Sequence, residues 1–142
     1  MISADTNILV YAATPDSPNH EKARDFLIHQ DEDFVLCQLV LVELYMLLRN
    51  KSVFKNPYSS REAASYCKAL ANSPKWRCVD YETQISERLW KWAENTDSGY
   101  RNIIDARIAF TLQHHGVTKF ATANVKDFED LGFQKVWNPL LD

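Results

Sequence analysis

The stretch FVLCQLVLVELYMLL, residues 34–48, contains a single charged residue, Glu43. Its first four residues, Phe34–Cys37, are typical of a buried strand, and residues 39–50 have the apolar content of a core helix. A strand that leads directly into such a helix is half of a βαβ unit, which indicates the class of fold. An isolated carboxylate is costly to bury, so Glu43 must be paired, neutralised or bound to a cation.

Short apolar segments alternate with helical ones on both sides of this stretch. We predict strands at residues 1–4, Phe34–Cys37, Trp76–Val79, Lys119–Ala121 and Lys135–Trp137. We predict helices at 19–30, 39–50, 60–72, 82–95 and 102–115, with a loop at 51–60 and the last helix stopped by Gly116. The alternation predicts an α/β fold with a mainly parallel sheet, right-handed crossovers and helices on both faces.

The totals limit the class of protein. A chain of 142 residues without a repeat or linker predicts a single domain over residues 1–142. The net charge of −3 argues against a wide basic face for nucleic acid, so any such contact should be local. Three cysteines without CxxC spacing predict reduced thiols in an intracellular protein, and we expect the cytoplasm. No apolar run is long enough to span a membrane, and the opening residues do not resemble a signal peptide.

Two acids lie where a strand or a polar turn ends. Asp5 directly follows the first predicted strand, and it either caps the segment 8–13 or projects into the crevice at the sheet edge. Asp127 follows the strand Lys119–Ala121 and a polar turn, and its alternative role is that of a first-turn helix acid. Its neighbours Glu129 and Asp130 are interpreted as solvated acids.

Two further acids lie on predicted helices. Asp105 shares the apolar face of its helix, although an acid close to an N-cap at Asn102 also suits the helix dipole. Glu43 has apolar neighbours at helical spacing, and its alternative role is a buried ion pair with Arg101 or Arg107.

Acids gathered at one sheet edge repel one another, and a divalent cation removes that conflict. Carboxylate oxygens with water suit Mg²⁺ or Mn²⁺. Zinc is disfavoured, because the sequence has no His/Cys cluster with ligand spacing. A metal in such a site can lower the pKa of water and brace a phosphodiester under attack.

Four segments in this order resemble the PIN domain, a family of metal-dependent nucleases. They are ISADTNILVYA, LVLVELYMLL, IIDARIAFTLQHHGV and FATANVKDFEDLGF, and together they cover nearly the whole chain. The small single-domain form is most similar to the VapC-like toxins of toxin–antitoxin pairs. The resemblance implies a three-layer sandwich with a five-stranded, mainly parallel sheet, and a Mg²⁺-dependent endoribonuclease that uses a metal-activated water.

The resemblance also implies roles for individual residues. Asp5, Glu43 and Asp105 match the three main family acids, which bind the metal and act in catalysis. Many members carry a fourth acid where this chain has Asn124, so Asp127 is assigned as the fourth acid. Polar support positions are matched by Thr6, Asn7, Thr122 and Asn124. The implied partners are an RNA substrate, a cognate antitoxin and a second copy of the chain in a homodimer.

Substrate contacts are predicted from basic residues after the Glu43 helix. Arg49, Lys51 and Lys55 could hold phosphates there, with a solvated loop as the alternative. His114 and His115 precede Gly116, and we interpret them as helix C-terminal residues rather than catalytic groups.

Other classes remain to be distinguished. A degenerate PIN-like domain would bind RNA or protein without catalysis, and a flap-type nuclease would use the same acids on DNA. A phosphatase of the haloacid dehalogenase type also begins with an Asp after its first strand. That class requires a second Asp two residues later, where this chain has Asn7.

Overall fold

The computed structural model describes residues 1–141, which contain five strands and seven helices. In chain order the elements are β1 (Ile2–Ala4), α1 (Thr6–Ala12), α2 (His20–Ile28), β2 (Phe34–Cys37), α3 (Gln38–Leu48), α4 (Ser60–Ala71), β3 (Trp76–Val79), α5 (Ile85–Asn95), α6 (Asn102–His114), β4 (Lys119–Ala121), α7 (Val125–Phe128) and β5 (Lys135–Trp137).

The strands form one sheet with the order β3-β2-β1-β4-β5, and every pairing is parallel. Ile2 of β1 stands in register with Phe34 of β2 and with Lys119 of β4. The predicted five-stranded parallel sheet is therefore confirmed. Four of the predicted strands have the predicted bounds, and β1 begins one residue later than expected, at Ile2.

The strand order reverses direction in the middle of the sheet. The chain moves from β1 through β2 to β3 on one side, and then returns to β4 and β5 on the other. Right-handed crossovers place α1–α4 on one face of the sheet and α5–α7 on the opposite face. The fold is thus a three-layer sandwich, and the crevice between the carboxyl ends of β1 and β4 lies at its topological switch point.

The core follows from this layering. All residues of β1 and β2 are buried, as expected for central strands that are covered on both faces. Phe120 of β4 packs against Phe128 and Phe133, with ring centroids 4.6 and 5.0 Å away. This aromatic cluster holds α7 and the segment that follows it against β4.

The five predicted helices are all present, and each differs from its expected bounds by one to three residues at one or both ends. The first helix covers Thr6–Ala12, which includes most of the segment 8–13 that Asp5 was expected to cap. It begins at Thr6, because the Asp5 side chain accepts the Thr6 N–H. The helix expected from residue 82 begins at Ile85, because the Glu82 carbonyl closes a turn with the Ile85 N–H at 2.9 Å. Finally, α3 is less buried than its composition suggested. Val42 and Met46 are exposed, while Val40, Leu41, Leu44 and Leu48 face the core.

Within residues 1–141, no helix combines the length and apolar character that crossing a membrane requires.

Candidate active site

Asp5 occupies the switch point at the end of β1. Its backbone N–H donates to the Ala121 carbonyl of β4 at 2.8 Å, so the two strands are still paired where the site begins. Its side chain caps α1, because Oδ1 accepts the Thr6 N–H at 2.8 Å. The carboxyl is only 8% exposed. The capping role and the position in the crevice, which the sequence left as alternatives, are therefore compatible.

Polar groups from two elements fix the second oxygen of Asp5. The Thr122 hydroxyl donates to Oδ2 at 2.7 Å, and the Asn7 amide donates to the same oxygen at 3.2 Å. Asn7 also accepts the Ala123 N–H at 3.2 Å, which ties α1 to the turn after β4. A carboxylate held from both sides in this way presents a fixed direction to a ligand.

The hydrogen bonds of Asp5 leave room for one more partner. A carboxylate offers about four lone-pair positions. Oδ1 accepts one hydrogen bond and Oδ2 accepts two. Burial raises the pKa of Asp5 above its ordinary value, and the negative charge of Asp127 raises it further, although the Thr122 and Thr6 donors oppose this. A cation at the free position of Oδ1 would stabilise the ionised form.

Glu43 extends toward the same region from α3. Its Oε1 is buried and has no hydrogen-bond partner. Burial raises its pKa to about 7, with further contributions from the charges of Asp5 and Asp105. Within residues 1–141, neither Arg101 nor Arg107 forms an ion pair with it. The guanidinium of Arg107 instead lies 4.1 Å from the centroid of the Tyr81 ring. The alternative of a buried Glu43–arginine pair is therefore wrong.

Asp105 lies in the first turn of α6 and is half-buried. Its pKa is raised to about 6. Burial is the largest cause, and the negative charges of Asp5 and Asp127 raise the pKa further. Asn102 does not cap this helix through its side chain, because the N-cap residue is Arg101. Asn102 is the first helical residue, and its amide donates to Asp105 Oδ2 at 3.3 Å. It orients the carboxylate rather than the helix end.

Asp127 is exposed and lies in the first turn of α7. Its charge raises the pKa of both Asp5 and Asp105, which places its carboxylate within electrostatic reach of each. Asn124 contributes its backbone N–H to the Thr122 hydroxyl at 2.9 Å, while its side chain is exposed. Asp127 rather than Asn124 therefore supplies negative charge on this side of the site.

The four acids form one electrostatic cluster, because each is coupled to at least one other member. In residues 1–141 no group of three or more His, Cys, Asp or Glu side chains is arranged so that it could hold a metal ion by itself. An open arrangement suits Mg²⁺, which keeps several waters and takes only one or two protein carboxylates along with substrate phosphate. The unpartnered Glu43 Oε1 and the free position on Asp5 fit such an ion.

Comparison with known proteins gives the family. The sequence profile of the PIN domain matches residues 2–134. The chain belongs to the PIN-domain family. Ribonuclease VapC24 of Mycobacterium tuberculosis is 42% identical to it over 142 residues, which cover 99% of this chain and 97% of the relative. Ribonuclease VapC31 of the same organism is 28% identical over 119 residues, with 81% of this chain and 84% of the relative covered.

Solved structures agree with the PIN fold. FitAcB from Neisseria gonorrhoeae superposes with a TM-score of 0.68 at 20% identity, and the match covers 100% of both chains. Mycobacterium tuberculosis VapC20, described as a Sarcin-Ricin loop cleaving toxin, gives a TM-score of 0.67 at 18% identity, covering 84% of this chain and 87% of the other. Family membership removes the haloacid dehalogenase alternative.

The polar support positions of this PIN domain have unequal roles. Asn7 and Thr122 contact the Asp5 carboxylate through their side chains. Thr6 acts through its backbone N–H, whereas its hydroxyl is buried without a partner. Asn7 and Thr122 were expected here because the resemblance to the PIN domain implied them. Asn102 was expected as an N-cap, and its contact with Asp105 was missed. The spacing of three residues between the two is the sequence feature that indicates this contact.

The predicted basic residues do not contact the acids of the PIN site. Arg49 follows the last residue of α3 and donates to the Tyr45 hydroxyl at 3.1 Å. Lys51 is exposed, and Lys55 lines a separate cleft of about 510 Å³ together with Tyr11 and Phe54. Their role in holding substrate phosphates stays a prediction.

Proposed function

We propose that this PIN domain is a divalent-metal-dependent endoribonuclease that acts as the toxin of a toxin–antitoxin pair. The observation that carries the proposal is the cluster of four coupled acids at the switch point, with a buried, unpartnered oxygen on Glu43. The 42% identity to Ribonuclease VapC24 over nearly the whole of both chains supports RNA as the substrate.

The mechanism assigns a task to each group. Asp5, Glu43, Asp105 and Asp127 would hold one or two Mg²⁺ or Mn²⁺ ions, which supply positive charge to the phosphodiester and lower the pKa of water. Thr122 and Asn7 keep Asp5 in one orientation, and Asn102 does the same for Asp105. Glu43 would hold a cation through its buried, unpartnered Oε1, and a neighbouring carboxylate would accept the proton of the attacking water.

Asp5→Asn and Asp105→Asn test this function. Both changes keep the size of the side chain and remove a negative charge, so we expect Mg²⁺-dependent cleavage of single-stranded RNA to be lost. Glu129→Gln is the matched control, because Glu129 is an exposed acid outside the coupled cluster. Full cleavage by either Asp variant would overturn the proposal.

Two alternatives are separated by further measurements. Isothermal titration of the folded protein with Mn²⁺ addresses the inert binding module, since a domain without catalysis need not bind metal. Competition between a DNA flap and single-stranded RNA of equal length addresses the flap-type nuclease. Residues 1–141 contain no helical insertion beyond α1–α7, which supports the RNA substrate.

An antitoxin partner is part of the proposal. The exposed Val42 and Met46 of α3 and an apolar groove of about 330 Å³ between α3 and α4 support a protein-docking role for this face. Co-expression with the product of an adjacent small reading frame, followed by purification through a tag on that product, tests it. The homodimer is proposed on the resemblance alone, and the cytoplasmic location on the three free cysteines.

A further inference from the structure

The loop between α5 and α6 displays an aromatic ring to solvent. Tyr100 is 84% exposed, the largest fraction among the large apolar side chains of residues 1–141. Tyrosine rings are usually at least partly buried, because burial of their apolar area is favourable. The hydroxyl accepts a hydrogen bond from Arg101 Nε at 3.2 Å, and the guanidinium carbon lies 5.6 Å from the ring centroid. The two side chains therefore contact each other at the surface.

The pair is next to the acidic cluster. Arg101 is the N-cap residue of α6, and Asp105 follows it by four residues on the same helix. Residues four apart on a helix lie on one side, with Cβ atoms about 5–6 Å apart. Within residues 1–141, Arg101 forms no ion pair with a carboxylate, so its charge is available to an anionic ligand beside Asp105.

A polar cleft is lined by Gly99 and Asn102, which flank the pair in the sequence, and by Asp127 of the candidate active site. Its volume is about 480 Å³, within the range of small-ligand sites. Its lining includes Trp92, Asn95, Ser98, Asn102, Lys126 and Asp127.

The chemistry of the cleft favours a base over a phosphate. Asp97, Asp127 and Asp130 line it together with a single cation, Lys126, so a phosphate would be repelled. The amide and hydroxyl groups of the lining match the hydrogen-bonding edge of a base. A base can reach such a cleft only when it is unpaired, which single-stranded RNA permits and a duplex does not.

We propose that Tyr100 and Arg101 form a nucleotide platform beside the catalytic acids. Tyr100 stacks on an unpaired base next to the cleaved bond, with the base edge directed toward the cleft, and Arg101 contacts the flanking phosphate. This inference rests on the proposed ribonuclease function, and it adds that the preferred substrate is single-stranded at this nucleotide.

The kinetic test uses Tyr100→Ala, Tyr100→Phe and Arg101→Ala. The substrate is a short fluorescent oligoribonucleotide, supplied as a single strand or annealed to its complement, with Mn²⁺. Because base–aromatic stacking is worth about one power of ten in affinity, we expect Tyr100→Ala to raise KM for the single strand roughly tenfold at nearly unchanged kcat. Tyr100→Phe should keep the parental KM. Arg101→Ala should raise KM. It should also reduce the slope of log KM against log salt concentration by the amount expected for about one phosphate contact.

Trp90→Ala is the matched control. Trp90 is an aromatic residue of α5, 58% exposed, and it does not line the cleft. An unchanged KM in Tyr100→Ala, an equal rise in Trp90→Ala, or an effect confined to kcat would overturn the platform. Unchanged RNA parameters together with lost retention of an antitoxin would also overturn it, and would assign Tyr100 to a protein interface.

Binding in the Asp5→Asn background separates this inference from the function on which it rests. Fluorescence anisotropy with the same single strand measures affinity without cleavage. If the parent protein cleaves RNA but Tyr100→Ala binds as the parent does, only the platform fails. If the parent cleaves no RNA, the ribonuclease proposal fails, while a tenfold loss of binding in Tyr100→Ala still supports an RNA-binding platform.

Discussion

At the scale of the residue, Glu43 links burial to protonation. Its pKa is raised to about 7, so the folded protein holds this proton over a pH range in which the unfolded chain has already lost it. The native state then binds more protons than the unfolded state between about pH 4.5 and 7. The stability of the metal-free protein should therefore fall as pH rises through this range.

Glu43→Gln tests this dependence. The amide keeps the shape and removes the charge, so we expect the metal-free variant to be more stable than the parent at pH 7.5, by about 1 kcal/mol after allowance for the half-exposed position. The gain should vanish near pH 4.5. Urea denaturation in EDTA at several pH values measures it, and Mn²⁺ titration should show weaker binding by the variant. Destabilisation at pH 7.5 would contradict the raised pKa.

Thr122 provides a second prediction at this scale. Its hydroxyl, fully buried, donates to Asp5 Oδ2 at 2.7 Å. Thr122→Val keeps the shape and removes the donor to a buried carboxylate, which should cost about 2 kcal/mol at neutral pH and reduce cleavage at least tenfold. Thr122→Ser restores a hydroxyl and should recover most of both. Chemical denaturation and single-turnover cleavage measure the two effects. Equal stability of the Val and Ser variants would show that the hydrogen bond contributes little.

The acidic residues of the candidate site could be predicted from the sequence, because an acidic side chain is unusual in an apolar helix and noticeable at the end of a strand. Glu43 stands out in an apolar run, and Asp5 and Asp127 follow strands. It did not predict that Asn102 orients Asp105, or that Tyr100 is exposed beside the site. A polar or aromatic residue near the start of a helix can have many roles. Its contacts depend on the conformation of the preceding loop, which the hydrophobic pattern of the sequence does not predict.

At the scale of the element, sequence patterns predicted the position of each strand more closely than the ends of the helices. Strands β2 to β5 have the predicted bounds. Polar residues end the short apolar runs of β3, β4 and β5 on both sides, whereas β2 passes directly into α3. Helix ends depend on individual hydrogen bonds, such as the Asp5 cap that begins α1 at Thr6. The composition of α3 predicted a fully apolar surrounding for Glu43, whereas Met46 and Val42 face solvent. Apolar content alone does not reveal an exposed docking face.

The capping box of α4 gives a prediction for one element. The Ser59 hydroxyl accepts the Glu62 N–H at 3.1 Å, and the Glu62 carboxylate accepts the Ser59 N–H at 3.0 Å. Ser59→Ala should lower the free energy of unfolding by about 1 kcal/mol. The residue lies outside the acidic cluster, so RNA cleavage below the melting temperature should not change. Thermal unfolding and cleavage assays test both statements, and lost cleavage in the folded variant would show that α4 couples to the site.

At the scale of the whole molecule, the reversal of strand order explains where the acids meet. The connections that follow β1 and β4 run toward opposite edges of the sheet. The crevice between the carboxyl ends of these two parallel strands receives Asp5, which follows β1, and Thr122, which follows β4. Asp105 and Glu43 reach it from helices on opposite faces of the sheet. The negative charges of these carboxylates repel one another in the folded protein, which lowers its free energy of unfolding. A bound cation would remove this repulsion.

Metal binding should therefore stabilise the entire domain in a pH-dependent way. A cation that binds only the folded state raises its stability by mass action. Protons compete for the same oxygens, because the pKa of Asp105 is about 6 and that of Glu43 about 7. We expect Mn²⁺ to raise the melting temperature by several degrees at pH 7.5 and to have almost no effect at pH 5, with EDTA reversing the change. Cleavage activity should rise over the same interval, because both carboxyls must ionise. Stabilisation of equal size at both pH values would place the metal outside this cluster, and Asp105→Asn, which should abolish the pH 7.5 effect, identifies the site directly.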